Sequence, residues 1–152
     1  MKVFIFPYNS LILYDLVERC GHKPLASMQE LTRRMHQGTA APPPYHIDFD
    51  DLQSSLESCS VDVPSGVRGR QAFLAPLVKE ADAAIFITDP EYAFGVSGCA
   101  RANELVWHQV VEKGIPTLTV RYPRNYEQAE RLVASVTRFL KQVESAGAEN
   151  SS

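Results

Sequence analysis

The sequence of 152 residues contains only three cysteines, and they are widely spaced. Cys20, Cys59 and Cys99 form no Cys-x-x-Cys pair, which argues against a structural zinc site and against a disulfide framework. The four histidines are equally scattered, and no two of them have the spacing of metal ligands on a helix. We therefore expect a protein of the reducing cytoplasm that folds without a metal and without disulfides.

Long hydrophobic runs and a dominant charge are also lacking. No apolar stretch approaches the roughly 20 residues that a membrane-spanning helix requires. Residues 1–7 are apolar, but they are too short for the core of a signal peptide and no small-residue cleavage site follows. The net charge is −3, with acidic and basic residues interspersed, so the chain has no broad basic surface for nucleic acid. Neither membrane residence nor nucleic-acid binding is expected.

The overall composition is that of a globular domain. Apolar residues make up 45% of the chain and charged residues 22%, which is close to the average of soluble proteins. A chain of this length buries roughly 70% of its unfolded surface in one domain. We predict a single domain over residues 1–145 and a disordered tail over residues 146–152, because the tail has no periodic apolar face.

Four short apolar runs alternate with helical patterns, which is typical of a parallel sheet with helices on both faces. We predict strands near residues 2–7, 59–64, 82–88 and 115–121. The first run is almost continuously apolar, as in a strand buried on both faces, whereas residues 59–64 alternate and are expected nearer an edge. The predicted fold class is α/β, a three-layer, mainly parallel four-stranded sheet of the Rossmann-like or flavodoxin-like kind.

Helices are predicted between and after these strands. The first covers residues 10–20, with Asn9 as N-cap and Gly21 at its end, and a second covers residues 25–36. Pro76 is expected to kink the helix before the third strand or to start a new one. Another helix follows Cys99, and the last, residues 129–143, has the clearest three-four spacing of apolar side chains.

Residues 39–58 interrupt this alternation. Their proline run at positions 42–44 favours an extended conformation, and an acidic segment with apolar residues follows at positions 47–52. The ordinary interpretation of this Pro-rich insert is a surface connection with one helical turn. The alternative is a docking segment for another protein.

The loops that follow parallel strands converge at the carboxyl edge of the sheet, which is where α/β proteins bind ligands. Guanidinium groups at such an edge suit carboxylate or phosphate, so we expect an anionic small molecule or an acidic partner surface there. The glycines either admit a phosphate to the backbone or serve tight turns, and their spacing matches no nucleotide fingerprint. No cofactor can be named. The predicted ligand- or partner-binding residues are Asn9, Ser10, Ser65, Gly66, Arg68, Arg70, Gly95, Ser97, Gly98, Arg101 and Arg121.

Cys99 is the one candidate catalytic residue. A thiol at the start of a helix and close to Arg101 can have a lowered pKa, which would suit a nucleophile or a redox centre. The alternative is a packed cysteine, because no histidine is placed to act as its base and cysteine is commonly buried.

Several segments together resemble the methanogenesis marker protein 5 family. They are VFIFPYNSLILYDLVERCGHKPL, VPSGVRGR, and AFGVSGCARANELV followed by GIPTLTVRYPR, and the resemblance covers residues 2–140. It implies a cytoplasmic archaeal protein associated with methyl-coenzyme M reductase, in its maturation, modification or activation. It supplies no catalytic residue.

Three hypotheses about function follow. The first is an accessory protein that binds methyl-coenzyme M reductase or its activation or maturation factors. The second is an enzyme or binding protein for an anionic small molecule, which uses the predicted edge and Cys99. The third is a structural subunit in which the edge glycines serve turns only.

Overall fold

The computed structural model describes residues 1–26, 32–33, 36, 48–88 and 97–149, without the side chains of residues 97–99 and 148–149. The described residues form two compact units. The sheet unit contains residues 1–26, 81–88 and 115–149, and the helical unit contains residues 48–80 and 97–114. The single domain over residues 1–145 stays a prediction.

Four strands and five helices are present in the described part of the chain. The strands are β1 (Lys2–Phe6), β2 (Lys23–Leu25), β3 (Ala83–Thr88) and β4 (Thr117–Arg121), and all four belong to one parallel sheet of order β2-β1-β3-β4. The helices are α1 (Leu11–Arg19), α2 (Phe49–Ser54), α3 (Ser65–Glu80), α4 (Ser97–Lys113) and α5 (Tyr126–Glu149). The predicted α/β class with a parallel four-stranded sheet is confirmed, and the strand order begins like that of flavodoxin-like folds.

The prediction of a strand at residues 59–64 is wrong. These residues follow a short 3₁₀ helix, Ser55–Glu57, and form turns in which Cys59 N donates to Ser55 O at 3.0 Å. Val61 is 69% exposed, so the alternation of valines in this segment does not mark a buried face. Local hydrogen bonds have replaced a ladder, which a period-two pattern alone does not reveal.

The fourth strand of the sheet is instead β2, which overlaps the start of the helix predicted for residues 25–36. It pairs with β1 through Pro24, which lies opposite Val3, and Lys23 N donates to Met1 O at 2.9 Å. An edge strand tolerates a proline because one side of it needs no donor. Three residues are too few for a periodic signal, so this strand cannot be recognised from hydrophobic periodicity. Most of the remaining predicted helix lies outside the described residues.

Helix α1 begins one residue later than predicted. Its N-cap is Ser10 and not Asn9, since Ser10 Oγ accepts a hydrogen bond from Leu13 N at 3.4 Å. Beyond the helix, Gly21 has φ +79°, the left-handed conformation that glycine adopts at no steric cost. The predicted end of this helix at Gly21 is confirmed.

One face of the sheet packs against α1 and α5. Strands β1 and β3 contribute alternate residues to this core, and the two helices contribute residues at three-four spacing. The main members are Val3, Ile5, Ile85, Ile87, Leu13, Val17, Leu132, Val136 and Leu140. The periodicity predicted for the last helix therefore marks its buried face. The helix continues to Glu149, past the expected tail start at residue 146, and residues 150–152 lie outside the described residues.

The residues that alternate with this core include an aromatic ladder. Phe4 packs on Phe86 with ring centroids 6.1 Å apart, Phe86 packs on Phe6 at 5.5 Å, and Phe6 packs on Tyr8 at 6.1 Å. Phe4 is fully buried. The ladder follows β1 towards its carboxyl end and orders the backbone that leads into the next loop.

In the helical unit, α3 and α4 run in the same direction. Near their starts Gln71 Nε2 donates to Ala102 O at 3.1 Å, and at their ends Lys113 Nζ donates to Val78 O at 3.0 Å. Pro76 lies inside α3, so no second helix starts there. Helix α4 ends at Lys113, and Gly114 after it has φ +69°.

The Pro-rich insert contains more helix than the single turn predicted. Its described part carries α2 and the 3₁₀ helix, and α2 begins with a reciprocal capping box between Asp48 and Asp51. This box satisfies backbone N–H groups at the helix start. Residues 39–47 lie outside the described part of the chain.

Among the residues described, none of the helices has both the length and the apolar character needed to cross a bilayer.

The left-handed glycine after α1 generates a stability prediction. We expect Gly21→Ala to lower the free energy of unfolding by about 1–2 kcal/mol, because a Cβ in this conformation is strained, although no heavy atom lies within 4 Å of it. Gly147→Ala is the matched control. It also has open space around its Cβ, but it is helical and should raise stability by up to about 1 kcal/mol. Urea unfolding of both variants measures this, and equal effects would contradict the strain argument.

Candidate functional site

The carboxyl edge of the sheet unit brings together three of the predicted residues. Asn9 and Ser10 follow β1, and Arg121 is the last residue of β4. The strand order reverses between β1 and β3, which is where doubly wound sheets open their ligand crevice. Asn9 is exposed, whereas the Ser10 hydroxyl caps α1. Of these two, Asn9 is the residue left to face a ligand.

A cavity of about 430 Å³ lies between the end of β4 and the first turns of α5, and we call it the arginine cavity. Among the eight described residues that line it, three are arginines and none is acidic. Its lining residues are Val120, Arg121, Tyr122, Arg124, Gln128, Arg131, Leu132 and Ser135. The expectation of arginines at this edge thus corresponds to a concave site within the sheet unit.

Capping interactions at the start of α5 determine the shape of the arginine cavity. Gln128 N donates to Asn125 Oδ1 at 2.9 Å, and Arg124 N donates to Gln128 Oε1 at 2.8 Å. The first bond caps the helix at Asn125, and the second joins the Gln128 side chain to the backbone N–H just before that cap. The second bond holds Arg124 by its backbone at the amino end of a long helix, where the helix dipole favours an anion.

Arg131 lies one turn further along α5 and pairs with Glu127. Both side chains are about 70% exposed, with values of 71% and 70%. An exposed pair of this kind contributes at most about 1 kcal/mol, so the guanidinium group of Arg131 can exchange Glu127 for another anion. A multivalent anion in the cavity would compete with Glu127 at little cost.

Three polar lining residues of the arginine cavity, all on α5, are not among the predicted binding residues. Gln128, Arg131 and Ser135 are spaced by three and four positions on α5, next to the buried Leu132. The same periodicity that identified the apolar face would have identified this polar stripe. It was overlooked because polar positions on an amphipathic helix are usually only solvated.

The predicted residues of the helical unit lie in helices and not in loops, which corrects the expectation for residues 65–70. Ser65, Gly66, Arg68 and Arg70 lie in the first two turns of α3, and Ser97, Gly98 and Arg101 lie in the first two turns of α4. Pro64 O accepts hydrogen bonds from the N–H groups of residues 67 and 68, so residues 65–70 form the start of a helix. Because α3 and α4 are parallel, their amino ends lie at the same end of this unit.

Electrostatic contacts surround this end of the helical unit. Arg68 is half-buried, and its Nε atom is buried with no hydrogen-bond partner among the residues described. A hydrogen bond from the Ser60 hydroxyl lowers the pKa of the Asp62 carboxyl below its ordinary value, with a smaller contribution from Arg101. Arg101 is exposed. Arg101 therefore has a carboxylate within electrostatic reach.

Two of the predicted site residues, Cys99 and Gly95, lie partly or wholly outside the described part of the chain. Cys99 lies in the first turn of α4, but its side chain is outside the described part, so its catalytic role stays a prediction. Gly95 also lies outside the described residues. The described residues contain no group of three or more histidine, cysteine or acidic side chains arranged to hold a metal ion.

A second cavity of about 580 Å³ lies in the helical unit, between the last turns of α3 and α4. Its two lysines are both engaged: Lys79 Nζ lies 2.6 Å from Glu57 Oε2, and Lys113 Nζ donates to the carbonyl oxygen of Val78. Its lining also includes Ala75, Leu105 and Glu112. Because Glu57 and Glu112 are among the lining residues, this cavity favours an anion less than the arginine cavity does.

Comparison with known proteins identifies relatives but no reaction. Residues 1–143 match a family described as uncharacterized proteins conserved in archaea, DUF2112. The chain is 48% identical over 143 residues to the uncharacterized protein MJ0404 of Methanocaldococcus jannaschii. The aligned residues cover 94% of this chain and 95% of that protein. No solved structure matches.

The half-buried thiol of Cys59 provides a prediction for the helical unit. Burial raises its pKa, and a side-chain hydrogen bond with Ser55 and the charge of Arg68 oppose this only in part. In Cys20→Ser/Cys99→Ser protein, we expect alkylation of Cys59 to rise at higher pH than in the unfolded chain, whose thiol has the ordinary pKa of about 8.5.

The raised pKa of Cys59 also predicts how stability depends on pH. As the pH rises, the unfolded chain releases the Cys59 proton before the folded protein does. The contribution of this thiol to the free energy of unfolding is therefore lost as the pH rises from the pKa of the unfolded chain through that of the folded protein. Iodoacetamide labelling rates, followed by mass spectrometry with and without guanidinium chloride, measure the shift. A folded protein whose labelling profile lies at or below that of the unfolded chain would contradict it.

Proposed function

The chain belongs to the DUF2112 family of archaeal proteins, and we propose from its own residues that it is a binding protein for an anionic group. The observation that carries this proposal is the arginine cavity. Arg121, Arg124 and Arg131 line it together, and guanidinium forks bind carboxylate, phosphate or sulfonate oxygens through paired, charge-assisted hydrogen bonds.

The size and the position of the cavity support a small ligand or a side chain of a partner. Its volume of about 430 Å³ is within the range of roughly 300–1,000 Å³ typical of ligand sites. The amino end of α5 adds the partial positive charge of a helix start. Tyr122, Gln128 and Ser135 supply neutral polar groups among the lining residues, which would orient the ligand.

Because the chain as a whole carries a negative net charge, anion binding must depend on the arginine cavity. The net charge is −3, so general attraction to anions is weak and binding depends on the local cluster of arginines. The three arginines are exposed, so salt screens their attraction for an anion. We therefore expect binding that weakens as the ionic strength rises and that depends on individual arginines.

Replacement of Arg124 tests the proposal. We expect Arg124→Gln to weaken the binding of inorganic phosphate or succinate about tenfold or more, because one charge-assisted hydrogen-bonding group is lost. The hydrogen bond to Gln128 uses the backbone N–H of Arg124, so the fold should be retained. Arg138→Gln is the control, since Arg138 lies on the same helix but outside this cavity. Amide chemical-shift titration measures both, and equal affinities would remove the arginine cavity from the proposal.

A second function is favoured by the sequence segments that resemble the methanogenesis marker protein 5 family. We propose that the protein acts in the archaeal cytoplasm as an accessory protein of methyl-coenzyme M reductase, in its maturation, modification or activation. The arginine cavity would then receive an acidic group of a partner. This role needs no catalytic residue in the chain, in keeping with a resemblance that supplies none.

Anaerobic affinity purification tests this second proposal. We expect the tagged protein, purified from its native archaeon at modest salt, to retain the reductase or its activation factors. An Arg121→Gln/Arg124→Gln/Arg131→Gln variant is the control, and it should retain less of them if the arginine cavity is the contact. Recovery of the tagged protein alone from both strains would contradict the accessory role while leaving small-anion binding to be measured separately.

A further inference from the structure

The carboxyl edge of the sheet unit exposes apolar side chains near the arginine cavity. Leu11 is 78% exposed and Ile12 is 45% exposed in the first turn of α1. Tyr126, the first residue of α5, is 79% exposed, and Tyr122 after β4 is 38% exposed. Single exposed apolar residues are ordinary, but four of them at one edge form a surface that we call the apolar edge.

The two helices bring these residues to the same side of the sheet. Helix α1 follows the carboxyl end of β1, and α5 follows that of β4, so both helices begin at this edge. Their inner faces share one core, in which Leu13 and Val17 meet Leu132 and Val136. Strands β1 and β4 are separated only by β3, a distance of roughly 10 Å at normal strand spacing. The apolar edge therefore flanks the arginine cavity.

Helix formation does not account for Leu11 and Ile12 at these positions. Acidic residues are favoured in the first turn of a helix because they complement its dipole, yet the first turn of α1 contains none. Carboxylates there would also repel an anion approaching the carboxyl edge. Aliphatic and aromatic side chains beside arginine are instead the composition of protein interfaces.

We propose, on the basis of the anion-binding function above, that the occupant of this edge is an acidic protein segment with apolar side chains. Its Asp or Glu carboxylates enter the arginine cavity and pair with the arginines that line it. Its apolar side chains pack on Leu11, Ile12 and Tyr126. A free anion would fill the cavity but leave the apolar edge in water, which is why the charge and the apolar surface together point to a peptide chain.

The length of the segment follows from the geometry. An extended chain rises about 3.3 Å per residue, so a segment of about four to eight residues reaches from the arginine cavity across the apolar edge. The partner chemistry is thus a short, extended or turn-containing stretch in which acidic and apolar residues are mixed.

Selection from a random 12-residue peptide library on the immobilised full-length chain tests the inference. We expect enrichment of peptides with Asp or Glu and at least one Leu, Ile or aromatic residue. A recovered peptide, labelled with a fluorophore, should bind at least tenfold more weakly to Leu11→Gln/Tyr126→Gln protein and to Arg124→Gln protein. Val111→Gln is the matched control, because Val111 is 58% exposed in the helical unit, and it should leave peptide affinity unchanged.

Phosphate binding to the same variants separates the two proposals. We expect Leu11→Gln/Tyr126→Gln to retain phosphate affinity, since neither residue lines the arginine cavity. The inference is overturned if phosphate binding depends on Arg124 but no acidic peptide is enriched. It is also overturned if Leu11→Gln/Tyr126→Gln leaves peptide affinity unchanged. In both cases the anion-binding function stands. If neither phosphate nor peptide depends on Arg124, both fail. The single variants Leu11→Gln and Tyr126→Gln replace the double variant if its thermal melt differs from that of the parent chain.

Discussion

The parallel pairing of β1 with β3 is the constraint on which the sheet unit depends. Lys2 N donates to Asp82 Oδ2 at 2.6 Å across a separation of 80 positions, and Asp82 N returns a hydrogen bond to Lys2 O at 2.8 Å. From this junction the two strands run side by side, with Ile5 opposite Ile85. The pairing places β2 on one side and β4 on the other, so the carboxyl ends of all four strands lie at one edge. The candidate site exists because the strands end together there.

The electrostatic character of that edge comes from local sequence. β4 ends on Arg121, the Gln128 side chain holds the backbone of Arg124, and one turn of α5 adds Arg131. None of these features needs a basic protein, and the chain as a whole is acidic. A cluster of like charges inside an otherwise neutral or acidic surface gives strong local recognition with little general attraction.

The sequence predicted the long-range plan of the fold well where elements are buried or strongly periodic. β1 is a continuous apolar run because its residues 3 to 5 are all fully buried, and α5 has regular spacing because Leu132, Val136 and Leu140 face one core. Short or edge elements gave no such signal. β2 has three residues and a proline, and the alternating residues 59–64 formed turns through local hydrogen bonds.

The site was predicted in part for a related reason. Residues such as Arg121 could be placed because strand ends are readable in the sequence, and parallel strands end at one edge. A strand at residues 59–64 predicts a loop at residues 65–70, whereas these residues form the start of α3. One wrong strand therefore misplaces a whole set of expected site residues. The polar stripe on α5 escaped notice because solvated and ligand-facing positions share the same pattern in a single sequence.

The two faces of α5 have a consequence for how this family can change. Leu132, Val136 and Leu140 anchor the helix in the core, while Gln128, Arg131 and Ser135 line the arginine cavity from the same turns. Substitutions of Arg131 or Ser135 would change the charge and the shape of the arginine cavity without removing a core contact, whereas Gln128 also stabilises the start of the helix. Two of the three cavity positions can therefore vary while the core of the same helix is kept.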